Sequence, residues 1–388
     1  MGGEVTLKIE TVTPLFLGGA DPRGEPELRA ASIRGALRFW FRALVGGVIG
    51  HTNLSALKRQ EKEVFGSTNT ASPVVVRVSS APHSSTPYSQ ITGQLGGLQY
   101  LFFAARPAGT QPARSAIPAG SSFYLTLKAR PGAPQALVDQ AFKNIYAALW
   151  LLTHLGGVGA RSRRGAGSLQ VVDVRVDVSG DLLTGMPDLV VQASHPAALR
   201  DEIGAGLRTL RQALGVSSTP FSSNQSSYDV LDPNFCKIWV LNKPFPRWQD
   251  ALDAIGSQFR SFRSRRQPDY GLVRNFLQTG NRFHTIQRAA FGLPIVFYFR
   301  SLSNTRAILQ GTDHDRRASP LFFRVTKLRN GSFVLVLTLF LATLLPPEEP
   351  LQLRSSNRSL SLNQPGWSII CDFIHDVNQN IPMLQVVY

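Results

Sequence analysis

The sequence predicts an α+β protein, and three features carry that reading: strands that alternate apolar and polar residues, helices with one apolar face, and their order along the chain. Val5, Leu7 and Ile9 alternate with Thr6, Lys8 and Glu10, the period of a half-buried strand. After the turn at Gly18 and Gly19 comes a helix, Leu28 to Leu44, with Ser32 expected as its N-cap. Ile33, Leu37, Trp40, Phe41 and Leu44 recur at helical spacing and build its buried face. Strands are expected at Pro73 to Val78, Leu98 to Ala104 and Phe123 to Lys128, then a long apolar helix from about Pro134 to Leu155. Leu169 to Val178 closes the first half, with Val172, Val174, Val176 and Val178 alternating with Asp173, Arg175 and Asp177. This order is close to a ferredoxin-like β-α-β-β-α-β unit with an added strand.

A chain of 388 residues exceeds a typical single core, so two domains are expected. A helix from Pro196 to Leu214, with Ser194 as its cap, leads into the serine-rich stretch Gly215 to Tyr228. That stretch has too little apolar surface to order itself and is read as a flexible boundary. A second α+β half starts near Phe235, with a strand at Lys237 to Leu241 and a helix whose Trp248, Leu252, Ile255, Phe259 and Phe262 face inward. Further strands are expected at Ile295 to Arg300, Leu321 to Lys327 and Phe333 to Leu345, and a last helix around Trp367, Phe373 and Val377. The division is therefore residues 1–180, a connecting segment 181–230, and 231–388.

Lysine and arginine total 41 against 25 acidic residues, a net charge of +16 that comes mostly from arginine and points to a polyanionic partner. No lysine-rich juxtamembrane run occurs, and the longest apolar run, Phe333 to Leu345, falls short of the roughly 18 to 20 residues of a spanning helix. Nucleic acid fits better than a membrane, and with no export signal at the start the expected compartment is the cytoplasm. Cys236 and Cys371 stand alone, so neither a disulfide framework nor a zinc site is indicated.

Two segments concentrate the charge. Arg34, Arg38 and Arg42 sit four apart on the helix, with Arg29 just ahead, so one packed face would mount a line of guanidinium groups suited to phosphates. Gly156 to Gly167 reads GGVGARSRRGAG: glycines allow close backbone approach, successive N–H groups could face an anion, and Arg161, Arg163 and Arg164 supply charge. The spacing matches no nucleotide-hydrolysis loop. Arg260, Arg263, Arg265 and Arg266 end the second half's first helix, where either the helix dipole or contact with RNA accounts for the cations. Asp313, His314 and Asp315 are consecutive and read as a polar loop rather than a metal or acid-base site, and His154 reads as a packing residue rather than a base for cleaving RNA. No strand carries the base-stacking consensus of RNA-recognition sheets, so contact with the backbone is expected. About six arginines on single-strand phosphates would give a log-log salt slope near −4.

The segments Thr13 to Pro22, Glu27 to Leu44, Glu61 to Ser67 and the glycine loop resemble the RAMP superfamily. More narrowly they resemble the first RAMP subunits of Cmr, type III-B, CRISPR effector complexes, and Phe291 to Phe297 and Arg316 to Val325 are similar to the distal domain of those subunits. The resemblance implies two ferredoxin-like domains with insertions and a non-catalytic subunit. Its partners would be CRISPR guide RNA near the 3′ region, single-stranded target RNA and the other Cmr subunits, with no cofactor, no metal and no catalytic residue. The expected RNA contacts are Arg29, Arg34, Arg38, Arg42, Gly157, Gly159, Arg161, Arg163, Arg164, Gly165, Gly167, Arg316 and Arg317. The alternative is a metal-independent endoribonuclease that processes repeat RNA. In such RAMP proteins the glycine loop usually lies near the C-terminus, whereas here more than half the chain follows it.

Overall fold

The computed structural model describes residues 3–178, 182–215, 225–265 and 268–388. Residues 216–224 of the serine-rich stretch and Arg266 lie outside the described residues. The first half runs β1 (Glu4–Thr11), α1 (Ala30–Ile49), α2 (Leu54–Phe65), β2 (Val74–Ser79), β3 (Thr86–Pro87), α3 (Tyr88–Thr92), α4 (Gly96–Leu101), β4 (Ser115–Ala116), β5 (Ser122–Ala129), α5 (Gln135–Leu155) and β6 (Leu169–Asp177). Its main sheet is antiparallel in the order β2-β5-β1-β6. Helix α6 (Pro196–Ala213) follows, then β7 (Cys236–Leu241), α7 (Trp248–Arg265), α8 (Asp269–Thr279), β8 (Ile295–Phe299), β9 (Thr305–Gly311), β10 (Leu321–Lys327) and β11 (Phe333–Phe340). The chain continues through β12 (Leu351–Ser355), β13 (Ser359–Leu362), α9 (Ser368–Asn380) and β14 (Met383–Gln385). A second antiparallel sheet has the order β10-β11-β7-β14, and a third, β13-β12-β9-β8, is inserted beside it.

The second sheet is buried on both faces, which explains why Phe333–Phe340 is apolar without alternation. Val334, Val336 and Phe340 turn toward a core shared with α1, α5 and α6, while Leu335, Leu337 and Leu339 join a second core with α7 and α9. The aromatic face of α1 packs on this sheet across the two halves: Phe39 stacks 5.9 Å from Phe322, and Trp40 lies 6.0 Å from Phe322 and 6.1 Å from Phe340. Burying each such ring contributes about 1.5–3 kcal/mol. A third core, built on Val273, Phe297, Leu309, Leu351 and Leu353, holds the inserted sheet under α8.

Several sequence expectations are corrected. Leu98 to Ala104 is not a strand but α4 followed by a 3₁₀ turn, Phe103–Ala105. Leu98, Leu101 and Phe102 are buried at helical spacing, whereas alternation would have put Ala104 inside, and it is exposed. Helix α1 starts at Ala30, before Ser32, because Ala30 and Ala31 are strong helix formers and the chain turns extended only at Arg29. Pro196 sets the first turn of α6, so the cap is His195, whose ring accepts the Ala198 N–H, and not Ser194. In β6 the pairing with β1 shifts at Lys8/Ile9, so Val171 faces the core while Val172 and Val176 are exposed. Strand β11 ends at Phe340 rather than Leu345.

Candidate nucleic-acid interface

The glycine loop runs from the end of α5 to the start of β6 and is a tightly packed staple. The amides of Val158, Ala160, Arg164, Gly165, Ala166 and Gly167 each donate to a protein carbonyl, so these six are not open to an anion. Gly159, Gly165 and Gly167 adopt φ of +85°, +86° and +65°, and side chains there would collide with Phe16 O, Leu252 and Val158 O. Gly157 lies against the carbonyls of Ala166 and Gly167. The loop glycines therefore serve close packing.

The loop arginines cross into the second half. Arg164 is 8% exposed; it donates to Leu321 O at 2.8 Å and lies over Phe259 and Phe323, and burial holds its pKa well below the usual arginine value. This guanidinium is part of the core, not of a surface. Arg163 meets Asp229 at 3.0 Å, donates to Ser319 O at 2.6 Å and sits 4.4 Å over Phe322. Arg317 approaches the same Asp229 at 2.9 Å, so one buried carboxylate joins two cations from distant parts of the chain. Arg161 has φ +64° and donates through Nε to Leu101 O at 2.7 Å.

These side chains open onto one cleft of about 670 Å³. Its wall holds Arg161, Arg163, Arg164, Arg263, Arg288 and Arg317 and, among the described residues, no acidic side chain, together with Tyr100, Phe103, Phe259 and the segment Leu293 to Val296. Asp229 and Asp269 lie behind the wall, Asp269 at 3.7 Å from Arg288, so cations outnumber carboxylates. Burial, followed by repulsion from Arg263, lowers the Arg288 pKa, and the Arg263 Nε is buried without a hydrogen-bond partner. Crowded like charges of this kind are relieved by an anion.

The α1 stripe is partly tied down. Arg34 donates to Phe65 O, while Arg38 and Arg42 share Glu61 of α2 at 2.7 and 2.8 Å. All three are half-buried and are outside the cleft wall. Arg29 is exposed beside Glu27 at 3.8 Å, and the Arg316 side chain is 82% exposed near Asp315. Sequence reasoning left out Arg288, Tyr100 and Phe103, and it left Arg263 open between a dipole role and contact with RNA. Arg263 lies over Phe259 and Arg106 over Phe103, pairings that are invisible in the sequence while the partners are unassigned.

The weaker candidates resolve structurally. His154 is 1% exposed, stacked 4.1 Å from Trp150 with Nδ1 2.9 Å from Trp150 O, away from any solvent. The Asp313–His314 loop is organised by Glu349, which accepts both amides at 2.8 Å and meets the His314 ring at 2.6 Å. Burial alone would raise the Glu349 carboxyl, but those hydrogen bonds pull it below its usual value. Among the described residues no group of three His, Cys, Asp or Glu side chains could hold a metal, and no helix is long and apolar enough to cross a membrane.

The sequence profile of the RAMP superfamily matches residues 8–170. Over 183 residues the chain is 35% identical to the CRISPR system Cmr subunit Cmr1-2 of Pyrococcus furiosus, spanning 44% of this chain and 97% of that protein. The chain belongs to the RAMP superfamily, in its Cmr1 family. It is also 27% identical over 383 residues to Cmr1-1 of the same organism, covering 98% of this chain and 97% of that one. Its fold is similar to the crystal structure of apo Cmr1 from Pyrococcus furiosus, with a TM-score of 0.64 at 23% identity over 99% and 98% of the two chains. A chain in the cryo-EM structure of the type III-B Cmr-beta bound to cognate target RNA matches with a TM-score of 0.58 at 14% identity, over 98% and 99%. In this RAMP protein the family match includes the glycine loop and ends at residue 170, while Arg263, Arg288 and Arg317 of the cleft wall lie beyond it.

Proposed function

We propose that the chain is a non-catalytic RNA-binding subunit of a type III-B CRISPR effector, working beside other Cmr subunits in the cytoplasm and contacting the guide RNA 3′ region, the target RNA or both. The observation that carries this is the cleft: its wall presents the guanidinium groups of Arg161, Arg263, Arg288 and Arg317 and, among the described residues, no acidic side chain, which suits a ribose-phosphate strand. Membership of the Cmr1 family and the target RNA held in the Cmr-beta complex support the same reading. The burial of His154 speaks against a nuclease that uses this histidine as its base.

The fold part of the proposal is two ferredoxin-like halves, residues 1–180 and 231–388, joined by 181–230. Supporting it, each main sheet has the strand order second-third-first-fourth within its own β-α-β-β-α-β series. The contact role narrows accordingly: Arg161, Arg263, Arg288 and Arg317 face RNA, with Arg29, Arg34, Arg38, Arg42 and Arg316 as outlying contacts. Arg163, Arg164 and Gly157, Gly159, Gly165 and Gly167 hold the wall in place. Photocrosslinking of the chain assembled with guide and target RNA tests this. Crosslinked peptides should come from the cleft wall; crosslinks confined to other surfaces would overturn the assignment.

A further inference from the structure

The cleft wall carries a feature that phosphate binding does not require: an aromatic ring standing in water among cations. Phe103 is 51% exposed and lines the cleft with Tyr100 and four residues of the second half's apolar segment, Leu293 to Val296. Arg106 lies over this ring, with its guanidinium carbon 3.6 Å from the centroid, so ring and guanidinium form one layered platform. The platform is held rigidly. Leu101 and Phe102, its immediate predecessors, are buried, and Asp253 of α7 accepts the amides of Gly97 and Leu98 at 2.8 and 3.1 Å, fixing the start of α4. Gly97 lies directly against α7, where a side chain would strike Asp253 O and Ser257, so α4 cannot swing away.

An exposed phenyl ring loses solvation free energy and gains nothing from phosphate. It gains from a flat π-face, and in RNA only an unpaired base offers one. Resting on the RNA-binding reading above, we propose that the cleft seats an unpaired nucleotide, its phosphate among Arg161, Arg263 and Arg288 and its base stacked on Phe103. The protein therefore selects single-stranded, base-bearing RNA over both duplex RNA and a bare polyanion. Selection is by stacking, so it tolerates any base identity.

The test is fluorescence anisotropy with the full chain and three labelled probes of equal length: single-stranded RNA, its duplex, and an abasic ribose-phosphate strand. Phe103→Ala should weaken binding of the single strand about five- to hundredfold, the range of one base-aromatic stack. It should leave the abasic strand unchanged, and Phe103→Trp should restore the wild-type preference. Phe103→Leu keeps the apolar bulk and loses the flat face, so it should behave like alanine even if alanine perturbs folding. Equal affinity of wild type and Phe103→Leu for the single strand, or equal losses on both single-stranded and abasic probes, overturns the proposal. If Arg263→Ala/Arg288→Ala weakens RNA binding and Phe103→Leu does not, the RNA-binding reading stands and stacking alone falls. If the wild type binds no RNA probe, both fall.

Discussion

Arg324 is the residue on which the junction of the two halves turns, and charge counting alone would have assigned it to a surface. It is 1% exposed and donates to Gly156 O and Leu169 O at 2.7 Å each, and to Thr153 O, at the carboxyl end of α5. The end of a helix carries unpaired carbonyls and partial negative charge, and these accept from the guanidinium and balance its charge as a carboxylate would. Burial pushes its pKa down to about 9, so it stays cationic at neutral pH. Because Arg324 lies on β10 and its acceptors on α5 and β6, one side chain ties the second sheet to the first half. Arg324→Met should lower unfolding free energy by about 3 kcal/mol or more in urea titration, as buried carbonyls lose their donor. A change under about 1 kcal/mol would show that these contacts contribute little. In the sequence Arg324 sits in the segment LFFRVTK with no partner in view; only the facing helix end reveals its role.

At the scale of elements, the glycine loop and α1 illustrate what periodicity reveals and what it conceals. The apolar face of α1 was legible because Ile33, Leu37, Trp40, Phe41 and Leu44 repeat at the helical spacing, and all five are buried. Its partner α2 was not, since only Leu57, Val64 and Phe65 of its twelve residues are buried. Without α2 the arginine stripe read as open, whereas Glu61 holds two of its members. Likewise β9, β12 and β13 escaped notice because each buries only two alternating apolar side chains larger than glycine, such as Ala307 and Leu309 or Leu360 and Leu362. The glycine loop was visible by composition, but its glycines proved to be packing positions. Gly167→Ala combines positive φ with a collision at Val158 O and should cost at least about 3 kcal/mol in thermal or chemical unfolding. Gly109→Ala, also at positive φ but in open space, should cost only about 1–2 kcal/mol. Equal costs at both positions would mean that the loop is not the close-packed staple described.

At the scale of the whole molecule, the second sheet lies between helices of both halves, and the cationic cleft forms where the glycine loop meets α4, α7 and the inserted segment. Net charge and arginine preference were readable from composition, which pointed to a polyanion. The site itself was not, because its wall draws on residues from Tyr100 to Ser319 that only tertiary packing brings together. Rigid mounting follows from the same packing: Asp229 holds Arg163 and Arg317, and Asp253 holds α4, so the cleft needs little reorganisation when a strand enters. The most direct test of the cleft as an RNA site is the salt dependence of single-stranded RNA affinity, wild type against Arg263→Ala/Arg288→Ala. Four guanidinium groups facing phosphates predict a log-log slope of about −3 for the wild type and about −1.5 for the double variant. An identical slope in both proteins would contradict the assignment.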